Sequence, residues 1–136
     1  MVQHFAVSMA TLKGLEKEVE AGGRKYAVKI ADGEAEVVKS RGGRFLLRIK
    51  IAAEVDGVRG EYTITFSRRG KAAVGRAYAK AGEDAERLVA VVKALTDKEP
   101  RVRRMKSGRV AVECGLADFA RYKELTKYVM VWIIVV

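Results

Sequence analysis

Arg44-Phe-Leu-Leu-Arg-Ile-Lys-Ile-Ala-Ala-Glu-Val-Asp-Gly57 opens the stretch that decides the fold, which runs on to Lys80. Phe45, Leu47, Ile49, Ile51, Ala53 and Val55 alternate with Arg44, Arg48, Lys50, Glu54 and Asp56. Period two in hydropathy is the signature of a half-buried strand. After a turn at Asp56-Gly57, Tyr62, Ile64 and Phe66 alternate with Glu61, Thr63, Thr65 and Ser67, residue types that suit a pleated surface. Arg68-Arg69-Gly70-Lys71 then predicts a second hairpin. The third run sets Val74, Arg76 and Tyr78 on one face and Ala73, Gly75, Ala77 and Ala79 on the other, where small side chains allow close packing. One face of this sheet is apolar and calls for helices; the other presents Arg44, Arg48, Lys50, Thr63 and Thr65 to water or a partner.

Outward from this stretch, Met9 to Glu20 predicts a helix, with Leu12, Leu15 and Val19 as its apolar stripe and Gly22-Gly23 as its stop. Lys25 to Ile30, a turn at Asp32-Gly33 and a return through Val37 and Val38 predict a first hairpin. Gly82 to Leu95 is the clearest helix: Glu83, Asp84 and Glu86 suit its positive end, and Leu88, Val91, Val92 and Leu95 share one face. Pro100 blocks its continuation. Arg101 to Lys106 and Arg109 to Cys114 form a further hairpin around Ser107-Gly108, with a bulge expected where Arg103-Arg104-Met105 breaks the alternation. A last helix is expected from about Leu116, with Phe119, Tyr122 and Leu125 inward. The expected fold is α+β, antiparallel hairpins with helices on one face in the order α-ββ-ββ-α-ββ-α. The 136 residues make a single domain: helix over 1–23, strands over 24–80, α-ββ-α over 81–128 and an apolar tail over 129–136.

The chain carries a net charge of +10 from 27 basic and 17 acidic residues. Residues 1–40 balance, whereas 41–80 hold 10 basic against 3 acidic and 100–113 hold 5 against 1. Basic charge gathered on strands is the footprint of a polyanion-binding surface, although Lys and Arg also serve to blunt sheet edges. Arg44, Arg48, Lys50, Arg76, Arg101, Arg103 and Arg109 are the expected phosphate contacts, with Arg68, Arg69 and Lys71 reaching further from a hairpin tip. Asn is absent and Gln occurs once, a composition expected of a thermophile.

Motifs that carry chemistry are not present. Cys114 is the single cysteine, so it forms neither an intramolecular disulfide nor a metal cluster, and a reduced cytoplasmic setting is expected. His4 is the single histidine and lies at the terminus. The glycines follow neither dinucleotide nor P-loop spacing. The N-terminus lacks a signal-peptide layout, and the run Tyr128-Val-Met-Val-Trp-Ile-Ile-Val-Val136 is nine residues, too short to span a bilayer. No cofactor, metal or catalytic residue is expected.

From Phe45 onward the order ββ-α-ββ-α resembles the core half of the LAGLIDADG homing endonucleases, whose twisted sheets lie in the DNA major groove. That resemblance implies a metal-holding acid at a helix foot, and Glu20 and Asp97 stand nearest such places; a capping or solvated carboxylate is the expected role of both. Lys25-Tyr-Ala-Val-Lys-Ile-Ala-Asp-Gly33, Val58-Arg-Gly-Glu-Tyr-Thr-Ile-Thr-Phe66 and Glu99-Pro-Arg-Val-Arg-Arg-Met-Lys106 resemble the multicopy repeat proteins of Pyrobaculum, the paREP family of type two b. This resemblance covers about Arg24 to Leu125 and implies a thermophilic archaeal source without an established activity. It makes a charged helix the expected ending, and the apolar tail departs from it as a frameshifted or truncated copy would. The leading expectation is a non-catalytic nucleic-acid-binding domain. A self-associating protein of a mobile repeat element, a homodimer through Trp132, Ile133 and Ile134, is second, and a degenerate nuclease third.

Overall fold

The computed structural model describes residues 5–39, 42, 45–69, 72–119 and 122, without the side chains of 5–8, 39, 45, 68, 69 and 72. Within them the chain runs β1 (Phe5–Ser8), a 3-10 turn (Ala10–Leu12), β2 (Glu16–Ala21), β3 (Arg24–Lys39), β4 (Phe45–Val55), β5 (Val58–Arg69), β6 (Ala72–Lys80), α1 (Glu83–Thr96), β7 (Arg101–Arg104), β8 (Arg109–Gly115) and a second 3-10 turn (Leu116–Phe119). All ladders are antiparallel, in the order β1-β3-β4-β5-β6-β8-β7, with β2 also on β3. The architecture is α+β with the helix on one face, as expected.

The central meander follows the alternation directly. Leu47, Ile49, Ile51, Ala53 and Val55 of β4 and Ile64 and Phe66 of β5 are buried. Their partners turn outward, and the hairpin closes at Asp56 (φ 51°) and Gly57 (φ 80°), the two left-handed residues that match strand twist. In β6 the small face does pack closely. A Cβ on Gly75 would collide with the ring of Phe66, which stands edge-on to Phe119 at 5.3 Å between centroids.

Helix α1 lies on the apolar face and touches β2, β3, β4, β6 and β8, so the sheet curls around it. Leu88, Val91, Val92 and Leu95 are buried as their spacing requires, and Ala85, Ala90 and Ala94 are buried beside them. A helix covered over so wide an arc must have strands on more than one side. Asp97, in the left-handed region at φ 57°, ends it by donating its backbone N–H to the Lys93 carbonyl at 2.8 Å.

The N-terminal third departs from expectation. No helix spans 9–20, so the leading α of the expected order is absent: Gly14 at φ 85° ends a single 3-10 turn, and Glu16 to Ala21 continues as β2. The apolar stripe was ambiguous because Glu16, Glu18 and Glu20 also alternate with Lys17, Val19 and Ala21, and pairing with β3 selects period two. Gly22 and Gly23 (φ 60° and 79°) are the β2–β3 hairpin turn rather than a helix stop. Nor is Asp32-Gly33 a turn. β3 passes straight through it with a bulge between Ile30 and Asp32, and the bulge is where Met9 and Leu12, both fully buried, cross onto the sheet. Gly33 lacks a side chain because a Cβ there would lie 2.9 Å from Leu12 Cδ1.

At the other end β7 pairs with β8 in regular register through Arg104 and Val110, without the expected bulge. Alternation fails in β7 because it is an edge strand exposed along its whole length, where neither face demands apolar residues. Phe119 and Tyr122 are buried, as expected for inward positions, and Leu116 is buried with them, but Leu116–Phe119 is a 3-10 turn rather than the start of an α-helix. The rest of that expected helix and the tail with Trp132, Ile133 and Ile134 lie outside the described residues.

The Gly75–Phe66 contact sets a test of the packing. Gly75→Ala should lower stability by about 1–3 kcal/mol through overpacking, read as a reduced urea midpoint with unchanged slope; an unchanged midpoint would mean that the Phe66 ring moves aside freely.

Candidate nucleic-acid interface

Sheet pairing decides which basic residues stand together. Residues directly opposite in antiparallel strands point to the same face, and the register through β6, β8 and β7 sets up cross-strand rows on the outer face. Arg76 stands opposite Glu113, and Glu113 opposite Arg101; Tyr78 stands opposite Ala111, and Ala111 opposite Arg103; Lys80 stands opposite Arg109. At ordinary strand spacing the patch measures roughly 13 Å along β6 and 10 Å across to β7. Lys80, Arg101, Arg103 and Arg109 are exposed, and every residue from Arg101 to Arg109 is exposed, which adds Lys106 at the hairpin.

Glu113 is the carboxylate within these rows. It accepts a hydrogen bond from Arg76 Nε at 2.9 Å, and both partners are largely buried, with side chains 21% and 11% exposed. That bond holds the Glu113 carboxyl below its ordinary value against the opposing effect of burial, and the charges of Arg76, Arg103 and Arg101 add to it. Arg76 is therefore a neutralised member of the patch, and the outermost cations carry its net charge.

The other expected contacts are placed differently. Arg48 and Lys50, on β4, both approach Glu36 Oε1 of β3 at 3.3 Å, and Glu36 is a buried carboxylate. Further along, Lys29 meets Glu16 at 3.6 Å and Lys25 meets Glu18 at 3.9 Å. The outer face over β2, β3 and β4 is thus a field of mixed sign rather than a basic surface, because the acidic residues of 1–40 fold alongside the basic residues of β4. Arg68 and Arg69 end β5 opposite Ala73 and Ala72, away from the β7–β8 hairpin in the ladder. Arg44 and Lys71 lie outside the described residues.

Of the expected set, the fold assembles Arg76, Arg101, Arg103 and Arg109. Sequence reasoning missed Lys80 and Tyr78 as members. The alternation Val74, Arg76, Tyr78, Lys80 already put both on the Arg76 face; what it lacked was the knowledge that β6 pairs with β8. Tyr78 is 47% exposed, a large aromatic ring within a basic patch. Beside it the sheet is split: the β5–β6 ladder stops at Thr65 and Arg76, so beyond that point β6 is paired on its β8 side alone. A cavity of about 280 Å³ opens there, lined by Arg59, Lys80 and Arg87, by the carboxylates Glu61 and Asp84, and by Tyr78 among others.

Among the described residues no group of three or more His, Cys, Asp or Glu is placed to hold a metal ion, and no helix is long and apolar enough to cross a membrane. Glu20 lies on β2, not at a helix foot, and Asp97 caps α1 while pairing with Lys17 Nζ at 2.6 Å. Cys114 points inward beside Asp118, and burial first, then the Asp118 charge, push its thiol up to about 12. His4 lies outside the described residues. No family model matches the chain, and neither a curated protein nor a solved structure matches it; the patch is read from its own residues.

Two outcomes follow from these environments. At pH 8 the Cys114 thiol, protonated and partly buried, should react with a maleimide more slowly than a free thiol and at the ordinary rate once the chain is unfolded; labelling of the folded chain at the unfolded rate would contradict that environment. Because the folded Glu113 carboxyl lies below its unfolded value, its stabilisation is complete above about pH 4.3 and is lost as pH falls through the folded value. Glu113→Gln should lower stability at pH 7 by about 1–2 kcal/mol and flatten the acid limb of the stability curve, which urea titrations at pH 7 and pH 3 would measure.

Proposed function

We propose that this protein binds nucleic acid non-catalytically through the outer face of β6, β8 and β7. The observation that carries the reading is the register of Lys80, Arg101, Arg103 and Arg109 on one exposed face with Glu113 as the carboxylate among them, itself engaged by Arg76. Arginine and lysine arranged in this way neutralise phosphates and release counterions, a contribution to binding that requires no base reading. Lys106 at the hairpin extends the same charge beyond the sheet, while Arg104, opposite Val110, belongs to the other face. Arg48 and Lys50 contribute less, since they share the Glu36 carboxylate, which offsets half of their charge. The reading does not lean on the resemblance to the archaeal repeat proteins, which implies no activity, and descent from a LAGLIDADG-type half would add only an ancestry for the sheet. A thermophilic, cytoplasmic setting fits the amide-poor composition.

Four cations engaging four phosphates predict that the logarithm of affinity falls with the logarithm of salt at a slope of about −3.6 on duplex and about −2.8 on a single strand. The slope should lose about 1.4 on a single strand in the Arg103→Ala/Arg109→Ala double variant and stay nearly unchanged in Arg48→Ala/Lys50→Ala. Fluorescence anisotropy of a labelled oligonucleotide across a salt series measures both. Salt-independent affinity, or a slope reduced more by the Arg48 and Lys50 changes, would remove the proposed surface.

A further inference from the structure

Tyr78 is the residue in the basic patch that phosphate contact does not explain. Its neighbours along β6, Arg76 and Lys80, share its face, and the cross-strand row continues through Ala111 to Arg103. Ala111 is fully buried although it belongs to the outer face and not to the apolar core. A methyl group on that face is covered only if longer side chains lie over it, and Tyr78 and Arg103 stand directly opposite it on either side. On the β5 side, the ladder has ended and the cavity next to Arg59 and Thr63 opens. The Tyr78 side chain is 47% exposed, and the register places Lys80, Arg103 and Arg109 on the same face around it. A large ring left exposed on a strand loses hydrophobic burial that an inward position would give it, and in this place it forms an apolar step inside a cationic field.

Building on the proposed nucleic-acid surface, we infer that its partner is a single strand, one base of which stacks on Tyr78 while Lys80, Arg103 and Arg109 hold the flanking phosphates. Bases in a duplex are already stacked on their neighbours and present only their edges, so a ring lying on a sheet surface gains little from them. An unpaired base offers its π-face, and stacking on an aromatic side chain is tolerant of sequence. The split in the sheet next to Tyr78 gives an unstacked base room beside the ring; Arg59 and Thr63 line that space across the split, and Glu61 and Asp84 line it too, so it suits a base edge rather than a phosphate. The combination of charge for the backbone and an aromatic step for the base is the arrangement expected of a single-strand binder.

The test compares a labelled twelve-residue oligothymidine with a duplex of equal length by anisotropy, for the full chain and for Tyr78→Ala and Tyr78→Phe, each with a salt series. Tyr78→Ala should weaken single-strand binding by roughly 5- to 100-fold, change duplex binding by less than about twofold, and leave the salt slope as it was, while Tyr78→Phe retains the single-strand affinity. Both substitutions are at an exposed position, and circular dichroism confirms that each variant is folded. Equal losses on both substrates, or no loss on either with the steep salt slope intact, would overturn stacking and leave the phosphate surface standing. No binding of either oligonucleotide by the unaltered chain at low salt would overturn both.

Discussion

Among the described residues a single fourteen-residue helix covers the apolar face of a sheet that is seven strands wide. Strands at ordinary spacing make such a sheet more than 30 Å across if flat, whereas a helix with its side chains is about 10–12 Å thick. The mismatch is resolved by curling the sheet until β2, β3, β4, β6 and β8 all reach α1. Alanines at 85, 90 and 94 allow that approach on the helix side, and Ala77 is the small buried residue on the face of β6. Latches hold the curled edge: the Tyr26 hydroxyl donates to Glu86 Oε2 at 2.7 Å, Lys17 pairs with Asp97, and the Lys93 ammonium donates to the Glu20 carbonyl. Glu86 also fills the space where a side chain on Gly22 would stand, so the β2–β3 turn and the helix fix one another.

The same curvature explains where the sheet is imperfect. The bulge at Ile30–Asp32 bends β3 so that its two halves carry separate partners, β2 on one and β1 on the other. Between β5 and β6 the ladder is abandoned after five pairs, and the resulting split admits Tyr62 toward the helix and leaves Tyr78 at its outer lip. At the far edge β7 lies beyond the helix, and Val102 is 50% exposed even though it shares a face with buried Val112. A strand there gains nothing from apolar side chains and is free to be arginine-rich. The basic patch therefore stands where the fold has no further use for hydrophobic burial.

Legibility in the sequence followed the strength of local signal. β4, β5, β6 and α1 are readable because each is buried on one face and has a clean period, and Gly57 and Gly82 take the positive φ that the β4–β5 turn and the start of α1 require. Residues 9–20 were misread because Leu12, Leu15 and Val19 fit a helical stripe while the glutamates fit a strand, and what settles between them is pairing with β3, which lies outside the segment. Asp32-Gly33 looked like a turn because the sequence does not reveal that Leu12 passes over Gly33. The charge count located the excess on strands, but a count along the chain cannot see that Glu36 folds between Arg48 and Lys50, or that Glu113 takes up Arg76. Arg101, Arg103 and Arg109 were identifiable from composition; their alignment with Lys80 and Tyr78 depends on β8 inserting between β6 and β7, a non-sequential order that local pattern does not encode.

Edge protection and phosphate contact both account for arginine on β7, and they make different demands on the strand. Discouraging another chain from adding to the edge needs only charge somewhere along it, on either face. Arg101 and Arg103 lie instead in the rows of Glu113 and Ala111, so their side chains join those of β6 and β8 on one face, while Val102 and Arg104 take the other. If repulsion at the edge were the sole requirement, the residue two strands away on β6 would be irrelevant to the choice. At that position stands Tyr78, neither buried as an apolar residue nor charged as its neighbours are. Edge protection has no use for an aromatic ring two strands in, and a single-strand surface does. On the proposed reading it is the ring, more than the count of arginines, that separates the outer face of β6, β8 and β7 from a protected edge.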